Sequence, residues 1–121
     1  SDLHLSSHTG THIDAPVHYL KSGDTIDTIP LTHLIGRCRV IDVSEAGTLI
    51  TAAHLRGALD GVKRLLLKTR FSGKADFTED YPSLALDAAR IITGHAIECV
   101  GIDSPSIESF NCDGSVHHQL S

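Results

Sequence analysis

Arg64-Leu65-Leu66-Leu67-Lys68-Thr69 is the stretch on which the fold turns: an apolar run of strand length with no helical spacing. Working outward, Arg37–Val43 (RCRVIDV) reads as an earlier, mostly buried strand, and Cys99–Asp103 (CVGID) as a later one. Between the first two, Thr51 can cap a helix running from Ala52 to about Leu59, which Asp60-Gly61 stops. Residues 70–82 contain Gly73 and Pro82 and read as a loop. Ser83 can cap a second helix over Leu84–Thr93, with Gly94 placed to end it. Strand, helix, strand, helix, strand, with strands more apolar than alternating, predicts parallel βαβ units and an α/β fold class. Residues 2–7 alternate loosely and predict a short strand, followed by a loop rich in His, Gly, Thr and Pro from about 8 to 30. No repeat or linker divides residues 1–121, so a single domain is expected. Three parallel strands make a small sheet for this class, and Val116–Ser121 reads as an end without a closing element.

Composition excludes several functions. The net charge is −5 and no block of Lys or Arg stands out, so the footprint of a nucleic-acid or anionic-lipid binder is missing. Aromatic residues are 4% of the chain and Trp is absent, which argues against base stacking. No apolar run approaches the roughly 18 residues that span a bilayer. Ser1-Asp2-Leu3-His4 shows neither a basic region nor an apolar core of a signal peptide. Cys38, Cys99 and Cys112 are odd in number and widely spaced, predicting free thiols and a cytoplasmic location. Cys38 and Cys99 lie in strand-like runs and are expected to be buried.

Nine histidines against three Phe and two Tyr are unusual, and their placement carries the chemistry. His8-Thr9-Gly10-Thr11-His12-Ile13-Asp14-Ala15-Pro16-Val17-His18-Tyr19 sets three imidazoles and a carboxylate within one short loop. Two His and one carboxylate leave open positions on Zn²⁺, Mn²⁺ or Fe²⁺, as a catalytic ion requires. Gly10 permits a tight path between the first two ligands, and Pro16 makes helix through Ala15 unfavourable.

The stretch HTGTHIDAPVHY resembles the signature of the cyclase family of metal-dependent hydrolases, which includes bacterial kynurenine formamidases. Similar segments continue along the chain: Gly23–Asp27, Ile29-Pro30-Leu31, Leu65–Thr69, Tyr81–Leu84 leading into Asp87-Ala88-Ala89, and Val100–Ser106. The resemblance implies the swivelling β/β/α fold, incomplete here at both ends, so that the chain is expected to be part of a longer member. It implies that His8, His12 and Asp14 ligate the metal, with Asp14 able to bridge two ions in dinuclear members. His18 falls on the position of a catalytic acid/base. A further ligand is implied within Ser115–His118, where His117 is favoured over His118. In the formamidases a Glu follows that His at a distance this sequence does not reach. A homodimer or larger assembly is implied, and exposed sheet edges favour association in any case. Missing terminal strands predict low stability.

The reaction implied is hydrolysis of an arylformamide such as N-formylkynurenine, with Zn²⁺ as the expected ion and Mn²⁺ as the alternative. His18 would shuttle the proton from water to the leaving amine. Two other readings stay open: ring opening of a cyclic amide such as isatin, and a non-catalytic remnant that binds metal. Other residues carry less. His54 and His95 lie in or beside expected helices and, with His4 and His33, are read as surface or satisfied histidines. Asp103-Ser104-Pro105-Ser106 fits pocket lining and a capped turn equally. No nucleophile-elbow pattern supports Ser104 or Ser106, and nothing near Cys112 suggests an activated thiolate.

Overall fold

Leu65 and Leu67 point to one side of the central strand, where they are 0% and 2% exposed, while Leu66 on the other side is 42% exposed. This alternation organises the computed structural model, which describes residues 1–121. Strands β1 (Arg39–Asp42), β3 (Arg64–Lys68) and β5 (Cys99–Ile102) form a parallel sheet in the order β1-β3-β5. The register sets Leu65 opposite Arg39 on one side and Val100 on the other. Two-residue strands β2 (Leu49–Ile50) and β4 (Ser83–Leu84) pair in parallel as a second, smaller sheet. The α/β expectation and the three principal strands are therefore observed.

Helices α1 (Leu31–Leu34), α2 (Ala52–Leu55), α3 (Leu86–Gly94) and α4 (Ser115–Leu120) complete the fold. The core lies between the Leu65/Leu67 face and α3, whose Ala88, Ala89 and Ile92 are buried, with Ile50, Leu55 and Val116 closing it. One face of a parallel sheet is thus covered and the other presents Val40 (57% exposed) and Leu66 to solvent. No helix is long and apolar enough to cross a membrane.

Thr51 does cap α2, although the helix ends at Leu55 and not near Leu59: the Thr51 N–H donates to His54 Nδ1 at 3.0 Å, a reciprocal cap closed by a His side chain. His54 is therefore spent locally. Substituting His54 with Ala is expected to cost about 0.5–1.5 kcal/mol in thermal unfolding, with metal content unchanged.

Four expectations are corrected. Residues 2–7 form no strand; Leu3 is 87% exposed, and no neighbouring strand offers the hydrogen bonds a strand needs. Ser83 does not cap α3. Its N–H donates to Thr48 O and Leu84 N–H to Ile107 O, so Ser83-Leu84 is strand and the helix starts at Leu86. Residues 115–120 are not irregular but form helix α4 packed on α3: it follows Gly114 in the left-handed region (φ +82°), Asp113 Oδ1 accepts Ser115 N–H, and Gln119 Nε2 donates to Thr93 Oγ1 on α3. Cys38 is exposed and Cys99 half-buried, because Cys38 precedes β1 and Cys99 opens β5, away from the covered centre of the sheet.

Candidate metal centre

Pro16 begins a single helical turn, Pro16–His18, that reverses the signature loop so that His18 returns over His8. The turn is held from outside: Val17 N–H donates to Asp24 O at 3.1 Å, and Gly23 lies so close that a Cβ there would stand 2.6 Å from the Pro16 carbonyl carbon. Gly10 adopts φ +70°, the left-handed backbone expected of a tight path between His8 and His12. Gly23→Ala is expected to push the turn aside and destabilise the chain by about 1–3 kcal/mol. It should also weaken metal binding, read by thermal unfolding and zinc titration.

Asp14 is the focus of the loop. Its Oδ1 lies 2.8 Å from His8 Nδ1 and 3.7 Å from His12 Nε2. Donor atoms of His8, Asp14 and His18 all lie within 4.8 Å of one another, close enough to share one ion. His12 Nδ1 is 2.6 Å from Gly10 O, a bond that fixes the ring and leaves Nε2 free for a ligand. The tight group is thus His8, Asp14 and His18, with His12 beside it, because the Gly10 contact holds the His12 ring slightly apart. Imidazoles and a carboxylate are the donor set of Zn²⁺ and Mn²⁺ sites, and these residues fit such an ion. A hollow of about 340 Å³ opens here, with Ile13, Val17 and Ile26 as its apolar wall beside His8, Asp14 and His18. A second hollow, near the first residues of β1 and β3, is lined by Arg37, Arg39, Lys63 and Arg64 and holds no such donors.

His117 on α4 comes toward this group from the far end of the sequence. Its ring stacks on Tyr19 at 4.2 Å and lies 6.5 Å from the His18 ring. His118 is exposed, with its ring edge-on to Tyr19 at 5.7 Å. Burial, and then the negative charges of Cys112, Glu108 and Asp14, push the Tyr19 hydroxyl above its usual range and keep it neutral.

Glu108 went unrecognised in the sequence. It is 3% exposed, and its Oε2 lies 2.5 Å from His117 Nδ1. Val116 N–H and His117 N–H also donate to its carboxylate. Burial alone would raise the Glu108 carboxyl, but the His117 hydrogen bond and the two backbone donors outweigh it and hold the group below its usual range. A depressed folded value means that this stabilisation is present above the unfolded value of about 4.3 and is lost as pH falls through the folded value. Glu108→Gln should therefore flatten the acid limb of a stability–pH curve, read by urea unfolding at stepped pH. No sequence signal marks Glu108 beyond a lone acid following Ser106-Ile107.

The remaining candidates serve the scaffold. Asp103 Oδ1 accepts from Thr69 N–H (3.0 Å) and Thr69 Oγ1 (2.7 Å), tying the end of β5 to that of β3. Ser104 Oγ donates to Ser106 O, and Ser106 Oγ accepts from Glu108 N–H, so this stretch is a self-capped turn. His95 Nδ1 meets Ile91 O; His4 is exposed, His33 half-buried and Cys112 exposed.

Against known proteins, the Cyclase family, described as "Putative cyclase", matches residues 1–109. Kynurenine formamidase of Bacillus cereus is 38% identical over 120 residues, 98% of this chain and 57% of that protein. Kynurenine formamidase of Bordetella petrii is 36% identical over 110 residues, 89% of this chain and 53% of that protein. A solved structure described as a "potential metal-dependent hydrolase with cyclase activity" superposes with a TM-score of 0.88 at 35% identity, covering 97% of this chain and 59% of its own. Another, described as a "predicted metal-dependent hydrolase from Bacillus stearothermophilus", gives 0.78 at 38% identity, over 97% and 58%. The chain spans little more than half the length of these relatives, and it belongs to the Cyclase family.

Proposed function

We propose that this site belongs to a metal-dependent amide hydrolase acting on an arylformamide such as N-formylkynurenine. The observation that carries it is the convergence of His8 Nδ1 (2.8 Å) and His12 Nε2 (3.7 Å) on Asp14 Oδ1, with His18 donor atoms within 4.8 Å of those of His8 and Asp14. The apolar wall of Ile13, Val17 and Ile26 supports an aromatic substrate, and about 340 Å³ suits a small ligand. Identity of 36–38% to kynurenine formamidases supports the same substrate class.

His8, His12 and Asp14 would hold the ion, Zn²⁺ with Mn²⁺ as alternative, and His117 would add a donor from α4. A divalent ion so held supplies a water ionising near neutral pH and polarises the substrate carbonyl. His18 takes the proton released by that water at a ring nitrogen. It returns the proton to the amine nitrogen, which must be protonated to leave as formate forms. His18 Nδ1 and Nε2 are free of protein hydrogen bonds for this exchange, and the neighbouring Tyr19 ring packs edge-on at 4.7 Å. Ring opening of a cyclic amide such as isatin is the second reading, which the same donors and apolar wall would accommodate. Assembly as a homo-oligomer through the uncovered Val40/Leu66 face is part of the same reading.

Purified protein is tested for metal by mass spectrometry and for turnover of N-formylkynurenine and of isatin. Stoichiometric zinc with formamide turnover is the expected result. His18→Ala should keep its metal and lose about 10²–10⁴ in rate. Metal lost with His18→Ala would make His18 a ligand and end its role as acid/base. Turnover of isatin alone would replace the arylformamide reading.

A further inference from the structure

His117 has two ring nitrogens, and Glu108 engages one of them. The carboxylate is 3% exposed, and it accepts from His117 Nδ1 at 2.5 Å while accepting the Val116 and His117 backbone N–H groups. An ionised carboxylate can only accept, so Nδ1 must carry the proton and Nε2 is left as the ring's lone-pair nitrogen. Tyr19 packs flat on the same ring, with 14° between planes, so rotation about the last side-chain bond is blocked from the other side. Glu108 is itself held: its carbonyl oxygen accepts from the buried Tyr81 hydroxyl at 2.9 Å, and its N–H donates to Ser106 Oγ. These bonds offset the cost of burying the carboxylate and fix it against the ring it faces.

We infer that Glu108 is a positioning residue for His117, locking the ring as the Nδ1–H tautomer so that Nε2 is presented as a metal donor beside the His8/Asp14/His18 cluster. Tyr81 anchors the Glu108 backbone and Tyr19 the His117 ring. The inference rests on the proposed metal-dependent reading of the site, but its first test needs neither metal nor turnover.

Long-range proton–nitrogen NMR on ¹⁵N-labelled, metal-free wild-type protein, above the usual imidazole range, should show His117 protonated at Nδ1. Protonation at Nε2 overturns the inference. Zinc titration should then show Glu108→Gln binding about ten- to hundred-fold more weakly. In a His117→Ala background the same substitution should change zinc binding by no more than about twofold. An unchanged affinity in the first case, or an equal loss in both backgrounds, overturns the positioning role and leaves Glu108 as scaffold. Metal bound with this pattern but without hydrolysis overturns the proposed activity alone.

Discussion

Asp14→Ala is expected to abolish the stoichiometric metal binding and the amide hydrolysis proposed above. Oδ1 of Asp14 faces His8 Nδ1 at 2.8 Å and His12 Nε2 at 3.7 Å, so the three donors converge on one small volume. Removing the carboxylate leaves imidazoles converging there with no anion among them. A divalent ion then loses both a ligand and the negative charge that offsets its own. Without the ion, water is a far weaker acid, so the attacking species all but vanishes at neutral pH. The measurement is metal content by mass spectrometry alongside turnover, with circular dichroism as the fold control. Asp14 lies outside the buried core, so the fold should survive. Full metal content in Asp14→Ala would remove the carboxylate from the site and sink the assignment.

Leu65→Ala is expected to destabilise the chain by about 2–5 kcal/mol, a large part of the roughly 5–15 kcal/mol of an ordinary domain. Leu65 is 0% exposed at the centre of the sheet, bracketed by β1 and β5 and packed in the cluster that includes Ala88, Ala89 and Ile92. Little around it can collapse into the void, because a strand flanked on both sides cannot shift without breaking two ladders. Leu66→Ala, one residue on, should cost less than about 1 kcal/mol, since its side chain is already 42% exposed. Paired urea unfolding curves give the comparison. A Leu66→Ala cost as large as that of Leu65→Ala would mean that the second face of the sheet is covered in solution, which equilibrium sedimentation would then detect as a second copy.

The three apolar runs and the helix between β3 and β5 were readable because strand and helix periodicities are local, and few alternatives satisfy them. Ser83-Leu84 was misread as a helix start because its strand character comes from Thr48, Ile50 and Ile107, all more than twenty residues away in sequence. Residues 2–7 show the converse: a pattern suited to a strand stays irregular when no partner edge is at hand. At the site, the His8–Asp14 portion was legible as a motif. Glu108 was not, because a carboxylate becomes a partner of His117 only when a turn and a helix bring them together.

Sequence by itself determined the α/β class, the three parallel strands and a donor-rich loop, since a chain segment this short keeps His8, His12, Asp14 and His18 within reach of one another. Tertiary structure alone decided which face of β3 is core, that His18 returns beside His8 and Asp14, and that His117 rather than His118 meets a buried carboxylate. The physical reason is the range of the forces involved. Backbone sterics and side-chain alternation act over a few residues, whereas burial and hydrogen bonding between distant segments exist only after the loops joining them have closed.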